Sequence, residues 1–78
     1  MKDLSTLSVV ITGGGSGIGE AAARHLASGG AKVTICGRRA DRVEAVAKEI
    51  GANCAWVKAD VTKDADRKLL IETAVKHG

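Results

Sequence analysis

Short apolar runs alternate with stretches of helical periodicity along this chain. Three such runs cover residues 8–12, 32–36 and 54–59, and the first two are rich in β-branched side chains. Such runs, bounded by glycine or polar residues, are typical of buried strands in a parallel sheet. Helical periodicity covers residues 18–28, residues 41–50 and the stretch that follows Thr62. The pattern therefore predicts the element order β-α-β-α-β-α.

The spacing of apolar positions also predicts which face of each helix is buried. In the first helix, the four-residue spacing selects Ile18, Ala22 and Leu26. In the second helix, the predicted buried face holds Val43, Val46, Ala47 and Ile50. In the third helix, the predicted stripe consists of Leu69, Leu70, Thr73, Ala74 and His77. Each helix is thus expected to pack one face against a sheet.

Short polar side chains and glycines predict where the helices begin and end. Asp41 lies three residues before Glu44, which predicts a variant of the capping box with Asp41 as the N-cap. Thr62 is expected to cap the third helix, whose first turn carries Asp64 and Asp66 near the positive end of the helix dipole. The predicted stops are Gly29-Gly30 for the first helix and Gly51 for the second.

Each β-α-β connection in this order is expected to be right-handed, and this rule predicts the topology. It predicts a three-layer α/β unit over residues 1–78, with a parallel sheet in the order 3-2-1. The first two helices are expected on one face of the sheet, and the third helix on part of the other. The strand over residues 8–12 is then an edge strand, although it is apolar on both faces. Because an unpaired apolar edge associates readily, we expect a homo-oligomer.

Composition and charge narrow the functional classes. The chain has 78 residues, enough for one small domain, and a net charge of +3 from 12 basic and 9 acidic side chains. It has no basic block interleaved with aromatic rings, which argues against nucleic-acid binding. It has no apolar run long enough to span a membrane and no features of a signal peptide at its N-terminus. Cys36 and Cys54 lack metal-ligand spacing, so we expect reduced thiols in a cytoplasmic protein.

The residues between the first strand and the first helix carry the clearest chemical signal. They read Thr12-Gly13-Gly14-Gly15-Ser16-Gly17-Ile18-Gly19. Gly13 is predicted to make the tight turn out of the strand, Gly17 to let the backbone approach a pyrophosphate, and Gly19 to let the helix pack closely on the sheet. The helix N-terminus offers free N–H groups and the positive end of its dipole to phosphates. A merely flexible glycine loop is the alternative, but the flanking strand and helix favour a dinucleotide site in a Rossmann-type fold.

Two motifs of this chain resemble those of the short-chain dehydrogenase/reductase family. The run from Val9 to Gly19 is similar to the family's cofactor fingerprint, Thr-Gly-x-x-x-Gly-x-Gly, and Asp60-Val61 is similar to the Asp-(Val/Leu/Ile) pair that contacts the adenine ring. The resemblance implies an oxidoreductase that passes a hydride between nicotinamide and a carbonyl or alcohol carbon. The cofactor-binding residues that it implies are Thr12, Gly13, Ser16, Gly17, Ile18, Gly19, Asp60 and Val61. Without the family, Asp60 is interpreted as a polar residue at a strand end.

The end of the second strand favours one nicotinamide cofactor over the other. An NAD site usually places an acidic residue there, which bonds both ribose hydroxyls. Here Gly37 occupies that place, and Arg38 and Arg39 follow it. Because a guanidinium suits phosphate oxygens and Ser16 can add a hydroxyl, we expect NADP(H) to be preferred over NAD(H). The alternative is that both arginines are solvated, with Asp41 close enough to pair with one of them.

The family's catalytic residues have no counterpart here. Its Ser and Tyr-x-x-x-Lys lie well after the third strand, and this chain has no Tyr. We interpret His25 and His77, which lack a matching acid and nucleophile, as packing or surface residues. We therefore expect the cofactor-binding part of an oxidoreductase, inactive by itself. The alternative is a non-catalytic dinucleotide-binding or interaction module complete at 78 residues.

Overall fold

Three parallel strands and three helices alternate along the chain in the computed structural model, which describes residues 7–13 and 17–77. The elements are β1 (Ser8–Thr12), α1 (Gly17–Ser28), β2 (Lys32–Gly37), α2 (Ala40–Ile50), β3 (Cys54–Lys58) and α3 (Asp64–His77). Strand β2 lies in the centre and pairs in parallel with β1 on one side and β3 on the other. The predicted Rossmann-type α/β fold and its 3-2-1 strand order are confirmed.

The core is divided between the two faces of the sheet because successive side chains of a strand point to opposite faces. On one face, Val33 and Ile35 of β2 are fully buried beneath α1 and α2. On the other face, a smaller cluster combines Cys36 with Leu70 of α3; its other members are Val57 and Ala59. The predicted split, with two helices on one face and α3 on the other, is confirmed. Both cysteines are buried and free.

Helix α1 packs through a different face from the one predicted. Ile18 is 90% exposed and Ala22 is also exposed, whereas Ala23 and Ala27 are buried, with Leu26 partly buried beside them. The prediction of an inward Ile18–Ala22–Leu26 stripe is therefore wrong except at its last position. The physical reason is that small side chains at the contact let the helix axis approach the sheet closely, which the larger Ile18 would prevent.

Helix α2 begins earlier than predicted, and Asp41 is not its N-cap. The N-cap residue is Arg39, without a side-chain cap, and its carbonyl accepts the N–H of Val43 at 3.3 Å. Asp41 lies inside the first turn, where a carboxylate still complements the helix dipole. The end of the helix is as predicted, because Gly51 has a φ of 101° and its N–H bonds the Ala47 carbonyl at 2.9 Å.

Thr62 does not cap α3. Its hydroxyl donates to Asp60 Oδ1 at 2.6 Å, so a carboxylate of the preceding turn takes the group that was expected to bond the helix. The residue before the helix is Lys63, whose carbonyl accepts the N–H of Arg67 at 3.1 Å. Within α3, Leu70 and Ala74 are buried as predicted, whereas Leu69 of the predicted stripe is exposed.

The sheet face beneath α3 is only partly covered, as the topology predicts. Helix α3 lies mainly over β2 and β3, and Val10 in the middle of β1 is 37% exposed. Apolar side chains are also exposed on α3, where Ile71 is 58% and Val75 is 72% exposed. Over the described residues, no helix has the length and apolar character needed to cross a membrane.

Candidate functional site

The carboxyl ends of the three strands meet at a cleft of about 290 Å³. Its lining comes from the ends of all three strands and consists of Thr12, Gly13, Cys36, Gly37, Arg38, Ala59 and Val61. This end of an open parallel sheet is where α/β proteins bind their ligands. Four of the predicted site residues, Thr12, Gly13, Arg38 and Val61, are thus brought together by the fold.

A tight backbone turn forms one wall of the cleft where β1 ends. Gly13 has a φ of 70°, a conformation that favours glycine, and its N–H bonds the Cys36 carbonyl at 2.9 Å. The predicted role of Gly13 as the turn out of the strand is confirmed. Gly19 lies in the first turn of α1, as predicted, and is partly buried. Ser16, predicted to contribute a hydroxyl, lies outside the described residues.

Gly17, the first residue of α1, has no conformational need to be glycine. Its φ is not positive, and a Cβ built on it would meet no atom of the described chain within 4 Å. Packing against the described residues therefore does not explain this glycine. The open space adjoins a helix N-terminus, where free N–H groups and the helix dipole favour an anion. A pyrophosphate that approaches this backbone fits the observation.

Arg38 and Arg39, which follow β2, lie in different surroundings. Arg38 lines the cleft with its side chain 75% exposed, and its Nη2 lies 3.9 Å from Asp60 Oδ1. Arg39 does not line this cleft, and its Nη2 lies 3.6 Å from Asp41 Oδ2. The anticipated pairing of one arginine with Asp41 is therefore found for Arg39. Of the two arginines, Arg38 is therefore the one whose guanidinium lies at the cleft.

Asp60 lies beside the cleft and lines an adjoining polar pocket of about 420 Å³ together with Arg38 and Asp66. Its Oδ1 accepts hydrogen bonds from the Thr62 hydroxyl at 2.6 Å and from the Thr62 backbone N–H at 2.9 Å. These bonds, helped by the charges of Arg38 and Lys63, lower the pKa of Asp60 against the opposing effect of burial. Asp60 is therefore an ionised hydrogen-bond acceptor at neutral pH.

The sequence did not reveal two features of the cleft. A Cβ built on Gly37 would lie 3.1 Å from Cγ1 of Val43, so packing against α2 also restricts this position. Cys36 is 1% exposed and lines the cleft, and burial raises the pKa of its thiol while a backbone hydrogen bond from Gly13 opposes the rise. The place of Cys36 at the end of a predicted strand could have indicated that it lies at the cleft.

A second cavity, of about 340 Å³, lies at the opposite end of the sheet. It is lined by Arg24, Ala27, Ser28, Ile50, Ala52 and Asn53. The backbone carbonyl of Asn53 lies 3.0 Å from His77 Nε2, so His77 has the packing role that was predicted for it. Neither the Gly13 turn nor the carboxyl ends of the strands line this cavity, and the Arg24 guanidinium that does is paired with Glu20 and Glu49.

Comparison with known proteins identifies the family. The family model described as short chain dehydrogenase matches residues 7–78. The chain belongs to the short-chain dehydrogenase family. An uncharacterized oxidoreductase from Listeria monocytogenes is 42% identical over 72 residues, and 2,5-dichloro-2,5-cyclohexadiene-1,4-diol dehydrogenase from Sphingobium indicum is 37% identical over 71. These alignments cover 88% and 91% of this chain but only 29% and 28% of the two relatives.

Solved structures of short-chain dehydrogenases have the same fold. The 3-ketoacyl-(acyl-carrier-protein) reductase from Brucella melitensis, crystallised with NADH, superposes with a TM-score of 0.90 at 43% identity. A short-chain dehydrogenase/reductase from Caenorhabditis elegans, crystallised with cofactor, has a TM-score of 0.89 at 33% identity. The matches cover 95% and 97% of this chain and 31% and 30% of those proteins. The chain therefore spans just under a third of the length of its relatives.

The open space at Gly17 leads to a prediction. Gly17→Val should abolish nicotinamide dinucleotide binding, because the side chain would fill the space beside the α1 N-terminus. Its free energy of unfolding should change by only about 0.5 kcal/mol, since a Cβ at this position meets no described atom within 4 Å. Calorimetric titration with NADPH and urea unfolding followed by the fluorescence of Trp56, the single tryptophan, measure the two effects.

Gly51→Val is the matched control. Because Gly51 has a φ of 101°, the same substitution there should cost about 1–3 kcal/mol of stability while the folded protein keeps its affinity. Undiminished NADPH binding by the Gly17→Val protein would place the phosphates elsewhere.

Proposed function

We propose that this chain is the cofactor-binding part of an NADP(H)-dependent oxidoreductase. The parent reaction passes a hydride between nicotinamide and a carbonyl or alcohol carbon. One observation carries the proposal: the Gly13 turn lines a cleft at the carboxyl ends of the strands, and α1, the next element in the chain, begins at Gly17 with open space beside it. The NADH complex of the Brucella melitensis reductase supports a nicotinamide dinucleotide as the ligand.

The pyrophosphate is proposed to lie against the α1 N-terminus. The residues that would surround it are Thr12, Gly13, Ser16, Gly17, Ile18 and Gly19. At the adenine end, the ionised Asp60 carboxylate matches the donor character of the adenine 6-amino group. Val61, which is 40% exposed, offers the ring an apolar contact. Bound there, the dinucleotide would supply the hydride that is transferred, while this chain's residues hold and orient it.

The preference for NADP(H) is proposed from Arg38 and Gly37. The contact between Arg38 and Asp60 is long and exposed, so it is worth roughly 0–1 kcal/mol and releases the guanidinium readily. A 2′-phosphate would form stronger, charge-assisted hydrogen bonds with Arg38. An acidic residue in place of Gly37 would repel that phosphate and would also press on Val43. Arg39 is a second candidate, although its present partner is Asp41.

Hydride transfer requires proton-transfer groups that this chain does not supply. The chain has no Tyr, the residue that the resemblance implies as the acid–base group. We therefore propose that the 78-residue chain binds cofactor without turnover. We also propose a cytoplasmic location, because the buried free thiols of Cys36 and Cys54 suit a reducing compartment.

Arg38→Ala should weaken NADPH binding about 10- to 100-fold and leave NADH affinity nearly unchanged, because only NADPH carries the 2′-phosphate. Calorimetric titration of both cofactors measures the change. Arg42→Ala is the matched control, since it removes the same charge from the exposed side of α2, away from the cleft. The proposed preference would be wrong if the unaltered chain bound NADPH and NADH with equal affinity and Arg38→Ala left the two affinities equal.

A homo-oligomer is proposed from exposed apolar side chains of β1 and α3. Val10 at the strand and Ile71 and Val75 on α3 are exposed in the single chain. Strand-edge pairing or exchange of α3 between copies would cover them.

Sedimentation over a range of concentrations should therefore show a dimer or larger assembly. Val10→Lys should shift it toward monomer, because a charge on an edge strand opposes pairing. Ala45→Lys, on the exposed side of α2, adds the same charge and should have no effect. A monodisperse monomer of the unaltered chain at high concentration would refute the proposed assembly.

A further inference from the structure

Asp60 is held by hydrogen bonds on both its backbone and its side chain. The residue before it, Ala59, makes the last backbone hydrogen bond to β2, from its N–H to the Gly37 carbonyl at 3.0 Å. Asp60 therefore lies just beyond the sheet. Its own N–H donates to Asp66 Oδ2 at 2.8 Å. Its side-chain Oδ1 accepts the two bonds from Thr62. Within the described part of the chain, no group donates to its second oxygen, Oδ2.

Asp66 makes an unusual contact for an acidic residue in the first turn of a helix. It is the third residue of α3, and an acid at this place commonly bonds the N–H of the residue just before the helix. Here the partly buried Asp66 carboxylate reaches back six residues instead, to the residue beside the cleft. Its bond therefore fixes Asp60 as well as the start of α3.

We infer that Asp66 is a positioning residue, which fixes the Asp60 backbone so that the free Oδ2 of Asp60 faces the adenine 6-amino group. The inference rests on the proposed function, since it requires adenine to bind beside Asp60. Without the Asp66 bond, the turn from Asp60 to Lys63 keeps its internal bonds and its bonds to Arg67 of α3, but the Asp60 N–H loses its partner. The Asp60 carboxylate then keeps its bonds from Thr62 on a backbone that lacks this anchor, and selectivity for the amino group falls.

A purely structural role for Asp66 predicts a different result. If the carboxylate only stabilised the α3 N-terminus, its loss would lower stability and would affect all adenine-like ligands equally. Hypoxanthine carries a carbonyl oxygen where adenine carries the amino group, so the hypoxanthine analogue of NADPH cannot donate to Asp60. The ratio of the two dissociation constants therefore reports recognition of the 6-amino edge of the ring, in which the Asp60 contact takes part, and not a general loss of affinity.

Two variants of Asp66 separate geometry from charge. Asp66→Asn removes the charge but keeps an oxygen that can accept the Asp60 N–H, whereas Asp66→Ala removes both. In the unaltered chain, we expect NADPH to bind about tenfold more tightly than its hypoxanthine analogue. Asp66→Asn should keep this ratio, and Asp66→Ala should reduce it to about twofold or less. Calorimetric titration of both ligands gives the ratios.

Each outcome bears on the inference. An unchanged ratio in a folded Asp66→Ala protein would overturn it, even if both affinities fell together. The inference would also be overturned if Asp66→Asn and Asp66→Ala lowered the ratio equally. The charge of Asp66, and not its hydrogen bond, would then be responsible for the selectivity. If Asp66→Ala fails to show cooperative unfolding by Trp56 fluorescence, Asp66→Ser, whose hydroxyl is too short to reach Asp60, carries the same expectation. Failure of the unaltered chain to bind NADPH would instead refute the proposed function itself, and the inference with it.

Discussion

The hydrogen bond from the Gly13 N–H to the Cys36 carbonyl joins the ends of β1 and β2 at the point where the chain leaves the sheet. Gly13 also has a positive φ, a conformation that favours glycine, so the chain leaves β1 at this residue. Helix α1 begins at Gly17, with open space beside that residue. The cleft therefore depends on backbone geometry more than on any side chain.

Close packing connects the cleft with the core on the α1–α2 face. Val43 is 1% exposed and belongs to that core, and it leaves no room for a relaxed side chain at position 37. A change from Gly37 to an acid would thus alter cofactor recognition and core packing together. Arg38 escapes this constraint because it lies beyond the strand, with its side chain in solvent. Substitution of Arg38, the residue proposed to select the cofactor, should therefore cost the fold little.

The sequence predicts those features of the fold that depend on local patterns. The short apolar runs located all three strands, and the stops at Gly30 and Gly51 follow from their positive φ. The buried face of α1 was not predictable from spacing, because its alanines offer several equivalent stripes and only packing against β2 selects Ala23 and Ala27. Thr62 does not act as a cap because the carboxylate of Asp60, two residues earlier, accepts its hydroxyl hydrogen bond.

Part of the candidate site was visible in the sequence for similar reasons. The glycine turn and Asp60 lie at strand ends, where a motif and the strand order together specify a position. The link from Asp66 to Asp60 was not visible, because a side-chain bond across six residues depends on the path of the turn.

The most direct test of the account is a titration of the ¹⁵N-labelled chain with NADPH, followed by ¹H–¹⁵N correlation spectra. Binding at the carboxyl ends of the strands predicts amide shifts centred on Gly13, Gly17 and Arg38. The amides of Ala27 and Asn53, which line the cavity at the opposite end of the sheet, should stay unchanged. Shifts centred on Ala27 and Asn53, or no shifts at millimolar NADPH, would contradict the account.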